Sequence, residues 1–152
     1  MPISIDTDGK VYNGVGWKGK CRLSASCGSE KSADYCGITG FIPVKPIDVV
    51  RFKDITGNLR WNETNASDTY CNIVYYNASF GYIGGVTQSA TVYGQCVVAD
   101  VPTGSLAEGD IVSFTVPANS SIAYVRISTS TVGVDGSGMK DIIVTVNEEI
   151  TD

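Results

Sequence analysis

Ile111-Val112-Ser113-Phe114-Thr115-Val116-Pro117-Ala118-Asn119-Ser120-Ser121-Ile122-Ala123-Tyr124-Val125-Arg126-Ile127-Ser128 is the stretch whose reading decides the fold. Val112, Phe114 and Val116 alternate with Ser113 and Thr115, the period of two that sends successive side chains to opposite faces of a strand. Pro117 has no N–H for a ladder and stops that strand. After a polar turn, Ala123, Val125 and Ile127 repeat the alternation, with Tyr124 and Arg126 on the opposite face. Nothing in the stretch has a helical period.

The same pattern extends to both sides. Val49-Val50-Arg51-Phe52-Lys53 puts Val50 and Phe52 on one face, and Asp141-Ile142-Ile143-Val144-Thr145-Val146 does so with Ile142, Val144 and Val146. Tyr70-Cys71-Asn72-Ile73-Val74-Tyr75-Tyr76 reads as a strand from its aromatic and β-branched content. Tyr82 to Gly85 and Thr91 to Val98 are weaker strands. Thr39 to Val44 is a strand whose Pro43 favours an edge or an end, and Lys45-Pro46-Ile47-Asp48 turns the chain. Residues 1–35, rich in Gly and Ser, are expected to wrap the core irregularly or to supply short edge strands, and residues 36–150 to form the core strands. A parallel sheet would need crossovers of roughly a dozen residues or more, for which no helical pattern exists. The expectation is therefore an all-β, antiparallel two-sheet sandwich, jelly-roll-like, occupying residues 1–152 as one domain. An immunoglobulin-like arrangement is the alternative, although its Cys…Trp…Cys framework is not apparent.

Totals fit this class. A chain of 152 residues is long enough to bury roughly 68–70% of its unfolded surface around one core. Sixteen acidic and eleven basic residues give a net charge of −5, with the basic residues spread from Lys10 to Lys140, which argues against a nucleic-acid or phosphate-binding surface. No apolar run approaches the roughly 20 residues that span a bilayer, and the first residues lack the basic and apolar regions of a signal peptide, so neither a membrane segment nor a removable leader is expected. Five cysteines, Cys21, Cys27, Cys36, Cys71 and Cys96, match no metal-ligand spacing and are expected to be mostly reduced apolar fillers. Cys21 with Cys27 or Cys36 is the pair to expect under oxidation.

Catalytic chemistry is poorly served. The chain has no histidine, which removes Ser-His-Asp and Cys-His arrangements. Glu63 with Asp68 and Glu148 with Glu149 are the carboxylate pairs to consider, and both read as solvated surface charge. Asp6-Thr7-Asp8-Gly9 begins like a calcium loop, but Lys10 interrupts the oxygen ligands and Trp17 stands at the twelfth position. The sequons at Asn62, Asn65, Asn77 and Asn119 read as chance in a Ser/Thr-rich chain. No catalytic residue, metal or cofactor is expected. Aromatic side chains are the feature that marks a binding face: flat apolar rings with polar tips suit sugar faces or protein partners. Trp17, Trp61, Tyr75 or Tyr76, Tyr82 and Tyr124 are the candidates, with Arg126 beside Tyr124. The competing account is that these rings pack in the core or between subunits.

Asp8-Gly9-Lys10-Val11-Tyr12-Asn13-Gly14-Val15-Gly16-Trp17-Lys18, Arg22-Leu23-Ser24, Thr39 to Lys45, Ala123 to Ser128 and Ile143 to Ile150 together resemble a C-terminal module of tail-associated and other virion proteins of phages and prophages of gut Firmicutes. Where that family usually has a Gly-Asp turn after Pro-Val-Lys, this chain has Lys45-Pro46-Ile47-Asp48, which leaves the geometry of that turn open. The resemblance implies a β-sandwich made in the bacterial host cytoplasm and displayed on a virion, often as a homotrimer among other virion proteins, with no defined catalytic residues. The resulting expectation is a phage virion surface or appendage domain, at a tail fibre, baseplate or capsid, that binds host-surface or mucus-type carbohydrate through Trp61, Tyr76, Tyr124 and Arg126. The alternative is a purely structural decoration or fibre-tip module whose aromatics pack between subunits.

Overall fold

A computed structural model describes residues 11–13, 18–24, 26–54, 59–60, 71–89, 97–99, 110–131 and 142–150. They form an all-β structure of two antiparallel sheets packed face to face. The first sheet runs in the order β1 (Val11–Asn13), β12 (Ile142–Val146), β5 (Val49–Asp54), β10 (Ile111–Thr115), β9 (Val97–Ala99). The second runs β2 (Lys18–Leu23), β3 (Glu30–Ile38), β11 (Tyr124–Thr131), β7 (Asn72–Tyr76), β8 (Gln88–Ser89). Two short strands, β4 (Ile42–Pro43) and β6 (Leu59–Arg60), pair with β11 outside that order.

Register explains why the alternating residues decide the fold. Phe52 stands between Val112 and Val144, and Val50 between Phe114 and Val146, so the apolar residues of β5, β10 and β12 share one face in two rows. Across the sandwich, Val125 pairs with Tyr75 and with Ile42, and Ile127 with Ile73. These residues, with Val116 and Ile142, make the principal core. The inward faces read from the sequence hold at Val50/Phe52, Val112/Phe114/Val116, Val125/Ile127 and Ile142/Val144/Val146; Ala123 is only half-buried.

Residues 18–38 are more regular than their Gly and Ser content predicts. β2 and β3 form a hairpin, and β2 does lie at a sheet edge. Their register shifts between Gly19 and Cys21, a bulge that bends the paired strands. Beyond it, the hairpin lies over the outer face of its own sheet. Leu23 N–H donates to Ser128 Oγ at 3.1 Å, Asn72 Nδ2 donates to the Leu23 carbonyl at 3.0 Å, and Tyr76 Oη donates to the Gly28 carbonyl at 2.7 Å. Gly28 is required there twice over: its φ is +69°, and a Cβ would stand 2.7 Å from the Tyr82 ring. The hairpin thus buries Cys21, Leu23, Ile38, Val74 and Tyr76 as a second hydrophobic cluster. An antiparallel sheet ordinarily leaves one face to water; here both faces are covered along β7 and along β11 from Val125 to Thr129.

Candidate functional site

The covered outer face opens at one end into a cluster of rings. Tyr124 and Tyr76 are register partners on β11 and β7, and Phe41 stands at the start of β4, which pairs with β11. Phe41 meets Tyr76 edge-on at 4.9 Å between centroids, Phe80 at 4.9 Å and Tyr124 at 5.9 Å. Phe80 stacks on Tyr124 at 4.8 Å with the ring planes 18° apart. Exposure rises outward: Tyr76 is 3% exposed and Phe80 44%, with Phe41 and Tyr124 half-buried. Phe80 packs on both Tyr124 and Phe41 and still leaves much of its ring to solvent.

A local device presents that ring. Asn77 N–H donates to the Gly81 carbonyl and Phe80 N–H donates to the Asn77 carbonyl, closing a tight turn. The Asn77 side-chain oxygen accepts from both Ser79 N–H and Gly81 N–H at 2.9 Å. Within this turn Phe80 takes φ +67°, a conformation that costs a bulky residue on the order of 1–3 kcal/mol. A large apolar side chain is thus held out in water by a backbone it does not favour.

Polar groups flank the rings on the side of the β2–β3 hairpin. The Arg126 guanidinium lies 4.6 Å from the Phe41 centroid, a cation–π distance. Arg126 Nε donates to the Thr39 carbonyl at 3.0 Å and Nη2 to Glu30 Oε2 at 3.1 Å. Lys18 Nζ donates to the other Glu30 oxygen at 2.6 Å. The Lys18 hydrogen bond, then Arg126, hold the Glu30 carboxyl below its ordinary pKa, and the same bond with Glu30 raises Lys18. Burial pushes the Tyr76 hydroxyl up to about 12, so it serves as a neutral donor to Gly28.

Three of the four ligand contacts expected from sequence, Tyr76, Tyr124 and Arg126, come together here; Trp61 lies outside the described residues. Their access differs from the expectation. Tyr76 and Arg126, 3% and 8% exposed, support the site from below, because the hairpin and Phe41 cover the face that alternation alone would leave wet. Phe41 and Phe80 were not among the expected contacts. Of the other rings, Tyr75 is fully buried and bonds Gln88 through its hydroxyl, Tyr82 is half-buried, and Trp17 lies outside the described residues.

The remaining candidates from sequence fall elsewhere. Glu149 pairs with Arg51 at 3.2 Å, and the Glu148 carbonyl accepts from Arg51 and from Thr145, which fastens the chain after β12. Glu63, Asp68, Asp6 and Asp8 lie outside the described residues. Cys21, Cys27, Cys36 and Cys71 are free thiols; Cys96 is not among the described residues. Among those residues no group of His, Cys, Asp and Glu side chains gathers as a metal site, and no helix is long and apolar enough to cross a membrane. The chain matches no family model, no curated protein and no solved structure.

Proposed function

We propose that this domain is a non-catalytic glycan-recognition module of a phage virion appendage, with the Phe80/Tyr124 stack as its sugar platform. The observation that carries the reading is Phe80: 44% exposed, at φ +67°, and stacked on Tyr124. An exposed aromatic ring in a patch whose inner ring, Phe41, is met by a fixed guanidinium suits a pyranose, which has apolar C–H patches on its faces and hydroxyls around its rim. The virion setting and a trimeric assembly are drawn from the resemblance of the sequence stretches quoted above.

A glycan array probed with the wild-type chain and with Phe80→Ala tests the reading, alongside light scattering of both. Binding to at least one saccharide, weakened about tenfold or more by the substitution, is the expected result; tenfold corresponds to about 1.4 kcal/mol, within reach of one lost ring contact. An array without hits, or hits that Phe80→Ala leaves intact, overturns it. Loss of oligomeric state in Phe80→Ala, without any saccharide bound by the wild type, favours the structural alternative in which the ring packs against a sister subunit.

A further inference from the structure

The β2–β3 hairpin has a joint. Cross-strand pairing runs Lys18 with Ile38 and Gly19 with Gly37, then resumes at Cys21 with Ser32. Between those pairs one residue of β2, Lys20, faces the four from Ala33 to Cys36 on β3, so the two strands are out of step there. Lys20 takes φ +55°, a left-handed conformation that residues other than glycine seldom adopt. The pair before the joint is two glycines, with no side chains to brace it.

The part beyond the joint is closed on itself. Cys21, Arg22 and Leu23 pair with Ser32, Lys31 and Glu30, while Ser24 N–H donates to the Ser29 carbonyl and Gly28 N–H to the Ser24 carbonyl. Its apolar hold on the sandwich is separate from the principal core. Among its described side chains, Cys21 and Leu23 enter the second cluster, with Ile38, Val74 and Tyr76, and none enters the first. Polar ties run from Leu23 N–H to Ser128, from Asn72 to the Leu23 carbonyl, from Tyr76 to the Gly28 carbonyl, and from Glu30 to Arg126 and, across the joint, to Lys18.

We infer that residues 21–24 and 26–32 belong to a hinged flap that lifts from β7 and β11 as one unit, turning at Gly19–Lys20 and at residues 33–35 of β3, while the principal core stays folded. A unit that shares few buried apolar contacts with its surroundings opens below the free energy of global unfolding. Closed, the flap sets the inner limit of the ring patch, because it lies over Tyr76, which meets Phe41 at 4.9 Å. Open, it uncovers Val74 and Tyr76 and takes the Glu30 carboxylate away from Arg126, so the aromatic surface continues inward from Phe41. The flap is independent of what the ring patch binds.

Cys21 reports the opening, because it is 5% exposed on the docked side of the flap, whereas the cross-strand amide bonds of the hairpin travel with it. The experiment is alkylation of the full chain by iodoacetamide in urea below the unfolding transition, with Cys21 quantified by mass mapping and global unfolding followed by circular dichroism. The Cys21 rate should rise with urea at under about half the slope of global unfolding, since lifting a flap exposes far less surface than unfolding the domain. Gly28→Ala, whose Cβ would stand 2.7 Å from the Tyr82 ring at φ +69°, weakens only the closed form and should speed Cys21 about tenfold or more. Val144→Ala, in the principal core beside Phe52, weakens closed and open forms alike and should leave the Cys21 rate within about twofold of wild type. A Cys21 urea slope equal to the global one, no Cys21 reaction short of the transition, or an acceleration in Val144→Ala that matches its loss of global stability means that the hairpin leaves only when the domain unfolds, and overturns the flap. So does an unchanged rate in Gly28→Ala, which places the opening elsewhere.

Discussion

Replacing Ile47 with Asn is expected to stabilise the protein, although it removes a large apolar side chain. Asp48 N–H donates to the Lys45 carbonyl at 3.2 Å, closing a four-residue turn with Pro46 and Ile47 at its centre. Pro46 supplies the fixed negative φ of the first central position, which turn types I and II share, and a positive φ at the second is the type II arrangement, which selects Gly or Asn. Ile47 sits there at φ +72°, where a β-branched side chain is crowded against its own backbone at a cost of about 1–2 kcal/mol. Burial offsets little of this, because Ile47 is 60% exposed. Neighbouring bonds hold the turn in place: Ile47 N–H donates to the Val116 carbonyl, Val116 N–H to the Asp48 carbonyl, and Asp48 Oδ2 accepts from Lys45 N–H. Allowing roughly 0.5 kcal/mol for lost apolar contact, Ile47→Asn should gain about 0.5–1.5 kcal/mol, a rise in Tm of about 1–5 °C for a chain of this size. Ile47→Gly gains the same relief but loses about 0.4–1 kcal/mol to the freer unfolded chain, so it should fall between Asn and wild type. Ile47→Val, still β-branched, should gain nothing. Thermal unfolding followed by circular dichroism, with urea titration for the free energy, gives the order. An Asn variant no more stable than wild type, or a Val variant that matches it, would refute the reasoning.

Three further outcomes follow from the covered outer face. Leu23→Ala should cost about 2–4 kcal/mol in urea unfolding, the range for a buried leucine; a loss under about 1 kcal/mol would mean that the β2–β3 hairpin is not docked over β7 and β11. Glu30→Gln should cost about 1 kcal/mol near neutral pH, a charge-assisted bond discounted for partial exposure. Since the Glu30 pKa is lowered on folding, the wild-type contribution is present above the ordinary glutamate range near about 4.3 and is lost as pH falls through the lower folded value. Melting temperature against pH should accordingly fall less steeply on the acid side in Glu30→Gln, and parallel curves would contradict the pairing. Cys27 is exposed, and hydrogen bonds from Ser24 and then Ser29 lower its thiol to about 7, so at pH near 8 it should alkylate before buried Cys21, Cys36 and Cys71; mass mapping that finds one of those three modified first would reverse this.

The principal core was legible because alternation is a local signal that survives folding. Val50 and Phe52, Val112 and Phe114, and Val144 and Val146 each announce a face, and antiparallel register places those faces in the same rows. The outer face was not legible, because period two says only that Tyr76, Tyr124 and Arg126 oppose the core and does not say what lies beyond them. The covering element left a weaker signal: Cys21 and Leu23 alternate with Lys20 and Arg22 before the Ser-rich turn, a strand pattern of only a few residues masked by its glycines. Phe80 was missed for a different reason. It follows Asn77-Ala78-Ser79, which ends β7, and turn chemistry gives no hint that the turn lifts an aromatic ring outward.

Hairpin docking and the ring patch share their parts. Tyr76 donates to Gly28 on the hairpin and meets Phe41 in the patch, and Glu30, at the start of β3, holds the Arg126 guanidinium beside the Phe41 face. Burying Arg126 without that carboxylate would leave a desolvated cation, which is costly, so burial of Arg126 and seating of the hairpin favour each other. Phe41 in turn supports Phe80 edge-on. Any ligand bound to the seated patch therefore stabilises the docked hairpin by mass action, and local opening of β2–β3 competes with binding. Arg126 is buried and cross-braced by the Thr39 carbonyl, Glu30 and the Phe41 face, while Phe80 is the exposed ring of the patch. On the glycan reading proposed above, a patch braced in this way would need little side-chain ordering to bind.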